Sequence, residues 1–127
     1  MLSDARSKGA DFIITCGPVQ SNHVRATVAV GARLGLKVVA VLRGEPEQVP
    51  DGNFLICSLL GADFRFITSA DYRNVDAIME DMAQEYRQKG FRLYVIPGGG
   101  SNGIGVLGYA KAAEEMAGYI RSVSLPR

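Results

Sequence analysis

The sequence predicts one α/β domain, a three-layer α/β/α sandwich around an open, twisted, parallel sheet of four strands. The chain of 127 residues suits a single domain spanning 1–127. Short apolar segments rich in Val, Ile and Phe alternate four times with segments of helical periodicity. Short links join them, and this alternation is typical of a parallel sheet with helices on both faces.

The four apolar segments are predicted strands because strands buried on both faces read as nearly continuous apolar runs. Right-handed crossovers restrict the topology, and we expect the Rossmann-like strand order 3-2-1-4. Strands 1 and 4 are then neighbours at the switch point where open α/β sheets bind ligands. The predicted strands are Asp11–Thr15, Lys37–Leu42, Phe64–Thr68 and Arg92–Ile96.

A helix is predicted before the first strand and after every strand. Glycines at 35, 61 and 90 follow three of these helices, as helix C-termini often require. The predicted helices are Met1–Lys8, Asn22–Leu34, Gly52–Leu60, Asp71–Gln88 and Ile104–Ile120. The periodicity of the last one predicts an inner face made of Leu107, Ala110, Ala113, Met116 and Ala117.

Composition argues against several classes of function. The 14 basic and 13 acidic residues are spread along the chain, so no basic stripe predicts a nucleic-acid partner. No apolar run approaches the roughly 18 residues that predict a membrane span. The spacing of Cys16 and Cys57 suits neither a metal site nor a disulfide scaffold, and His23 is the one histidine. We therefore expect no metal and a reducing, cytoplasmic location.

The first candidate site is the loop Gln20, Ser21, Asn22 and His23, which opens the helix after the first strand. The hydroxyl, the amide and the free N–H groups of the first turn suit a carboxylate or a phosphate. A second interpretation is purely local, with Ser21 only capping the helix. His23 at this position is either a local hydrogen-bonding residue or a catalyst.

The second candidate site is the glycine-rich loop after the fourth strand. Gly98, Gly100 and Gly103 match the dinucleotide pattern G-x-G-x-x-G. That pattern also needs a following strand ending in an acidic residue, and here the chain ends in a helix and a short tail, so nicotinamide binding is rejected. The glycines either let the backbone approach a flat ligand or form a flexible turn.

Together these segments resemble D-cysteine desulfhydrase and 1-aminocyclopropane-1-carboxylate deaminase, pyridoxal-phosphate enzymes of fold type II. The resemblance runs from about Ala5 to Met116 and is carried by QSNH and by GGSN followed by spaced glycines. It corresponds to the small domain of those two-domain enzymes. The family's reaction is deamination with β-elimination or ring opening, which yields a keto acid and ammonia.

The resemblance also implies roles for individual residues. Gln20, Ser21, Asn22 and His23 would form the loop that binds the substrate carboxylate, and Asn22 would hydrogen-bond the pyridoxal hydroxyl. The cofactor cleft would be lined by Gly98, Gly99, Gly100, Ser101 and Asn102. No catalytic residue is assigned.

Two family features fall outside the sequence. The lysine that binds the cofactor covalently would precede Met1, and the large domain with its phosphate loop would follow Arg127. The four lysines present are expected away from the carboxyl ends of the strands: Lys8, Lys37, Lys89 and Lys111. We therefore expect weak or absent binding of pyridoxal phosphate and no turnover by this chain alone.

Three functions remain open. The chain is a truncated relative without catalysis, one half of a split enzyme completed by another chain, or an oligomeric module that binds an amino acid or a small anion. In each case the face that meets the large domain in the family would be apolar and exposed. We expect a homo-oligomer through that face, with the last helix and the N-terminal helix as its best candidates.

Overall fold

The computed structural model describes residues 1–46 and 49–123, and it confirms the predicted sheet. Four parallel strands are arranged in the order β3-β2-β1-β4. In the centre of the sheet Ile14 lies opposite Val39 on one side and Val95 on the other. The strands are β1 (Phe12–Pro18), β2 (Lys37–Arg43), β3 (Asp63–Ile67) and β4 (Leu93–Val95).

Five α-helices surround the sheet, close to their predicted positions. The predicted helix Asp71–Gln88 differs at its start, because Asp71–Asn74 forms a 3-10 turn before the α-helix begins at Val75. Gly98–Gly100 forms a second 3-10 turn. The α-helices are α1 (Leu2–Ser7), α2 (Asn22–Arg33), α3 (Gly52–Leu59), α4 (Val75–Gln88) and α5 (Gly103–Ser122).

Each face of the sheet carries its own apolar core. Alternate residues of β1 and β2 point to opposite faces, as the period of a strand requires. On one face Ile13 and Leu42 belong to a cluster with residues of α1, α2 and α3. On the other face Ile14 and Val41 pack with Met79 of α4. The sandwich therefore has helices on both sides of the sheet.

Helix α5 departs from the prediction. None of its residues is buried, so the predicted inner face of Leu107, Ala110, Ala113, Met116 and Ala117 is wrong for the described part of the chain. Apolar periodicity indicates that one face of a helix is suited to burial, but it does not identify the surface that would cover that face. The apolar side chains of α5 are accordingly open to solvent, and Leu107 is 68% exposed.

Candidate active site

The first loop forms a compact turn between β1 and α2. Ser21 caps α2, because its Oγ accepts a hydrogen bond from the Val24 N–H at 3.2 Å. A side chain at Gly17 would meet Ser21 and Val24 at 2.8 Å, so only glycine permits so close an approach. The first turn of α2 therefore lies directly at the carboxyl end of β1.

The glycine-rich loop is shaped by two glycines of positive φ, by a side-chain cap on α5 and by a close main-chain approach at Gly105. Gly99 and Gly100 have φ values of 65° and 68°, the left-handed region that favours glycine. Asn102 caps α5, because its Oδ1 accepts from the Gly105 N–H at 3.0 Å. A side chain at Gly105 would overlap the carbonyl oxygen of Gly100. The predicted loop is thus an ordered turn at the start of a helix.

His23, the last residue of the first loop, is its point of closest approach to the glycine-rich loop. Its Nε2 is 2.9 Å from Oγ1 of Thr15, a fully buried residue of β1. Its Cε1 is 3.8 Å from the position that a β-carbon on Gly100 would take. The two predicted site loops are therefore brought together at the carboxyl ends of neighbouring strands, where His23 of the first loop approaches Gly100 of the second.

Burial lowers the pKa of His23 below its usual value of 6.5. The unfolded chain then binds a proton more readily than the folded chain. The contribution of His23 to the free energy of unfolding is therefore fully present above pH 6.5 and decreases as the pH is lowered towards the folded pKa. We expect the urea concentration at the unfolding midpoint to decrease when the pH is lowered from 7.5 to 5.5. His23→Gln, which can still reach Thr15, should remove most of this dependence because the chain has one histidine. An equal decrease in both proteins would contradict this assignment.

A polar network joins the first loop to the start of α3. Asn53 Nδ2 donates to the Gln20 carbonyl oxygen at 2.9 Å and to Asn22 Oδ1 at 3.0 Å. The Asn53 N–H donates to Gln20 Oε1 at 2.8 Å, and Gln20 Nε2 donates to Asp51 Oδ1 at 2.9 Å. The side chain of Gln20 thus faces α3, and its predicted contact with a substrate carboxylate stays a prediction.

Sequence reasoning missed Asp51 and Asn53. They stand about thirty positions after the first loop, and nothing local in the sequence pairs them with it. The topology carries the one available signal, because the carboxyl ends of β1 and β2 are neighbours and α3 starts beyond β2.

Cys16 lies beneath the glycine-rich loop and is buried, as expected for a small apolar residue. A β-carbon on Gly98 would be 3.5 Å from its Sγ. Burial raises the pKa of the Cys16 thiol, and burial together with the hydrogen bond to Cys16 raises the pKa of Tyr72 to about 12. Cys16 is therefore a neutral thiol rather than a nucleophile at neutral pH.

The lysines contact residues outside the two loops. Lys8 pairs with Asp4 at 2.9 Å, and Lys111 lies 3.5 Å from Glu114 on α5. Lys37 and Lys89 lie over the aromatic rings of Phe12 and Tyr86. Among the contacts of the described residues, none joins a lysine to the β1–α2 turn or to the glycine-rich loop.

Two surface cavities lie elsewhere. One, of about 250 Å³, lies at the amino end of β2 between α2 and α3 and is mostly apolar. The other, of about 570 Å³, lies at the carboxyl ends of β2 and β3 beside Arg65 and Thr68. Within residues 1–46 and 49–123 there is no group of three or more metal-ligating side chains, and no helix is long and apolar enough to cross a membrane.

A protein-family model matches nearly the whole chain. The family model described as pyridoxal-phosphate dependent enzyme matches residues 1–125. The chain belongs to the pyridoxal-phosphate-dependent enzyme family. The resemblance noted in the sequence is thereby confirmed at the level of the family.

Curated relatives in the family match over nearly all of this chain but only part of their own length. A Thermotoga maritima protein named "Putative 1-aminocyclopropane-1-carboxylate deaminase" is 44% identical over 116 residues, which are 91% of this chain and 37% of the relative. A Pyrococcus horikoshii protein of the same name is 41% identical, over 92% of this chain and 35% of the relative. The chain thus spans about a third of these relatives.

Solved structures agree with this assignment. A crystal structure described as an ACC deaminase homologue superposes with a TM-score of 0.83 at 41% identity, over 91% of this chain and 35% of that one. A hydrogen sulfide-producing enzyme superposes with a TM-score of 0.68 at 16% identity, over 98% of this chain and 36% of that one. The second likeness shows a shared fold.

The two loops offer hydrogen-bond donors and an exposed main chain of the kind that pyridoxal phosphate would need on one side. The helix N-terminus, the Ser21 hydroxyl and the Asn22 amide are donors suited to a carboxylate and to the ring oxygen. Gly98, Gly99 and Gly100 themselves carry no side chains, and Met1 Sδ lies 3.4 Å from the position that a β-carbon on Gly100 would take. In the described part of the chain no lysine that could bind the cofactor covalently contacts either loop, because the lysines contact other residues.

Proposed function

We propose that this chain supplies the substrate-carboxylate and cofactor-ring side of the active site of a pyridoxal-phosphate-dependent deaminase or desulfhydrase acting on a small amino acid. The observation that carries the proposal is the meeting of the QSNH loop and the glycine-rich loop at the carboxyl ends of β1 and β4, where His23 approaches Gly100. Membership of the family and the names of the relatives support the class of reaction.

The proposed carboxylate site uses the first turn of α2. Ser21 Oγ already accepts from Val24, so its own proton remains to be donated to a ligand oxygen. The N-terminal end of the helix dipole adds about 0.3–1 kcal/mol for an anion. Bound pyridoxal phosphate would supply the electron sink for reactions at the α-carbon. The residues of this chain would orient the carboxylate and the ring edge.

We further propose that these residues do not catalyse turnover alone. Reactions of this class need a lysine that binds the cofactor covalently and commonly moves the proton at the α-carbon. Among the contacts of the described residues, no lysine contacts either loop.

The buried thiols of Cys16 and Cys57 form no disulfide and suit the reducing cytoplasm expected from the sequence.

Reduction in the presence of the cofactor tests this part of the proposal. Pyridoxal phosphate is added to the protein, the absorbance spectrum is recorded, borohydride is added, and the intact mass is measured. We expect no stoichiometric adduct at any single lysine. A full-length deaminase relative, treated in parallel, is the positive control. One adduct per chain, mapped to one lysine, would contradict the proposal and would make D-cysteine the first substrate to assay.

A split enzyme is the second candidate. A complementing chain would carry the lysine and the phosphate-binding loop. Coexpression with the unmatched remainder of the Thermotoga maritima relative should then yield a complex that holds pyridoxal phosphate. Failure of the two polypeptides to copurify would count against this candidate.

The third candidate is an oligomeric binding module, favoured by the exposed apolar stripe of α5. We propose that a second copy of the chain covers this stripe, whose residues recur with the three- and four-residue spacing of a coiled-coil seam. Met116, for example, is 60% exposed. The stripe consists of Val106, Tyr109, Ala113, Met116, Ile120 and Val123.

Substitutions on α5 test this oligomer. Met116→Glu places a charge on the stripe and should convert the assembly to a monomer, because an ionised carboxylate resists burial in an apolar seam. Gly118→Glu adds the same charge off the stripe, where nothing lies within 4 Å, and should leave the mass unchanged. Sedimentation velocity gives the masses. A monomeric wild-type protein at high micromolar concentration would contradict the proposal.

A further inference from the structure

The hydrogen bonds around Asn53 fix the orientation of two side-chain amides. The Gln20 main-chain carbonyl can only accept, so the group of Asn53 that lies 2.9 Å away must be its NH₂. The second hydrogen of that NH₂ points to the Asn22 amide at 3.0 Å, which must therefore present its oxygen. A main-chain atom thus determines which way the Asn22 side chain is turned.

The same logic applies to Gln20. The Asn53 main-chain N–H can only donate, so the atom of Gln20 that it meets at 2.8 Å is the oxygen. The nitrogen of Gln20 then donates to the carboxylate of Asp51 at 2.9 Å. Asp51 makes no side-chain cap on α3, and Gln20 supplies that cap from the other loop. Among the described residues, five hydrogen bonds hold the first loop to the start of α3, which is distant from it in sequence.

We propose that Asn53 is a positioning residue for the candidate site: it occupies the oxygen of Asn22 and so leaves the Asn22 NH₂ as the group offered to a ligand. The NH₂ of Asn22 then faces the ligand as a donor, and the site favours ligands that present an acceptor oxygen, such as a carboxylate or the ring oxygen of a pyridoxal compound. The choice of ligand rests on the proposed function; the orientation of Asn22 does not.

The ligand-free test measures ¹⁵N relaxation of the Asn22 side-chain NH₂. It should be ordered in the wild type and mobile in Asn53→Ala. Asn74→Ala is the matched control, since Asn74 is exposed and makes no side-chain cap at the start of α4. Equal mobility of the Asn22 NH₂ in the wild type and in Asn53→Ala would overturn the inference, whether or not any ligand binds.

The binding test uses N-(5′-phosphopyridoxyl)-alanine, which carries both a ring oxygen and a carboxylate and needs no lysine. Asn53→Ala should weaken binding about tenfold or more, the scale of one hydrogen bond to a charged group. In an Asn22→Ala background the same substitution should have no further effect. An equal loss in both backgrounds would indicate a merely structural role and overturn the inference.

The two proposals fail in different ways. If the wild-type protein does not bind phosphopyridoxyl-alanine, the proposed function fails, and the relaxation measurement alone decides the role of Asn53. If the wild type binds and Asn53→Ala binds equally well, the proposed function stands and the inference about Asn53 is wrong. Asn53→Ser, whose short hydroxyl cannot bridge both acceptors, provides a second variant should Asn53→Ala not fold.

Discussion

Gly105→Ala is expected to disrupt the glycine-rich loop and to destabilise the protein. The new β-carbon would overlap the carbonyl oxygen of Gly100, a main-chain atom that cannot move without displacing the loop. Overpacking of this kind costs typically about 1–3 kcal/mol. The shift should also remove Gly98 and Gly100 from the cleft, so that binding of phosphopyridoxyl-alanine is lost. Urea denaturation and ligand titration measure the two effects.

Gly108→Ala is the matched control for this loop. It makes the same chemical change on the same helix, but nothing lies within 4 Å of the new β-carbon. Alanine favours a helix over glycine by about 1 kcal/mol, so the urea midpoint should stay the same or rise. Gly105→Ala with wild-type stability and wild-type binding would show that Gly105 does not hold the loop in place.

Leu42→Ala is expected to have the largest effect on folding. Leu42 is 1% exposed, belongs to the core beneath α2 and α3, and lies opposite Gly17 in the sheet. Removing a buried leucine side chain costs about 2–5 kcal/mol, which is a large share of the stability of a domain of this size. Thermal and urea unfolding should both show the loss.

Leu59→Ala provides the comparison for that loss. Leu59 is 77% exposed at the end of α3, so the same truncation there should change the free energy of unfolding by no more than about 0.5 kcal/mol. Similar losses at the two positions would mean that the core on this face of the sheet is not packed as described.

The strands and the sheet order could be predicted because each strand is a short, nearly continuous apolar run and because right-handed crossovers leave few topologies. The Ser21 cap was also predictable, since it depends on neighbours three residues away. The register is more than a sequence pattern can provide, and β1 extends beyond the predicted Thr15 to Pro18.

The environment of α5 and the contacts of Asn53 could not be predicted for a common reason. Periodicity predicts that α5 has an apolar face, but whether a partner surface covers it depends on the rest of the assembly. The bond between Asn53 and Asn22 joins residues 31 positions apart and depends on the orientation of two amides. Neither leaves a local trace in the sequence, whereas the meeting of the two loops follows from topology alone.

The central claim is that the two loops form one ligand site. The most direct measurement is a titration of ¹⁵N-labelled protein with N-(5′-phosphopyridoxyl)-alanine, followed through the backbone amide resonances. We predict that the resonances of Ser21, Asn22 and His23 shift together with those of Gly98–Ser101 along one saturating curve. Shifts confined to the cavity beside Arg65 and Thr68, or no shifts at any concentration, would contradict the claim.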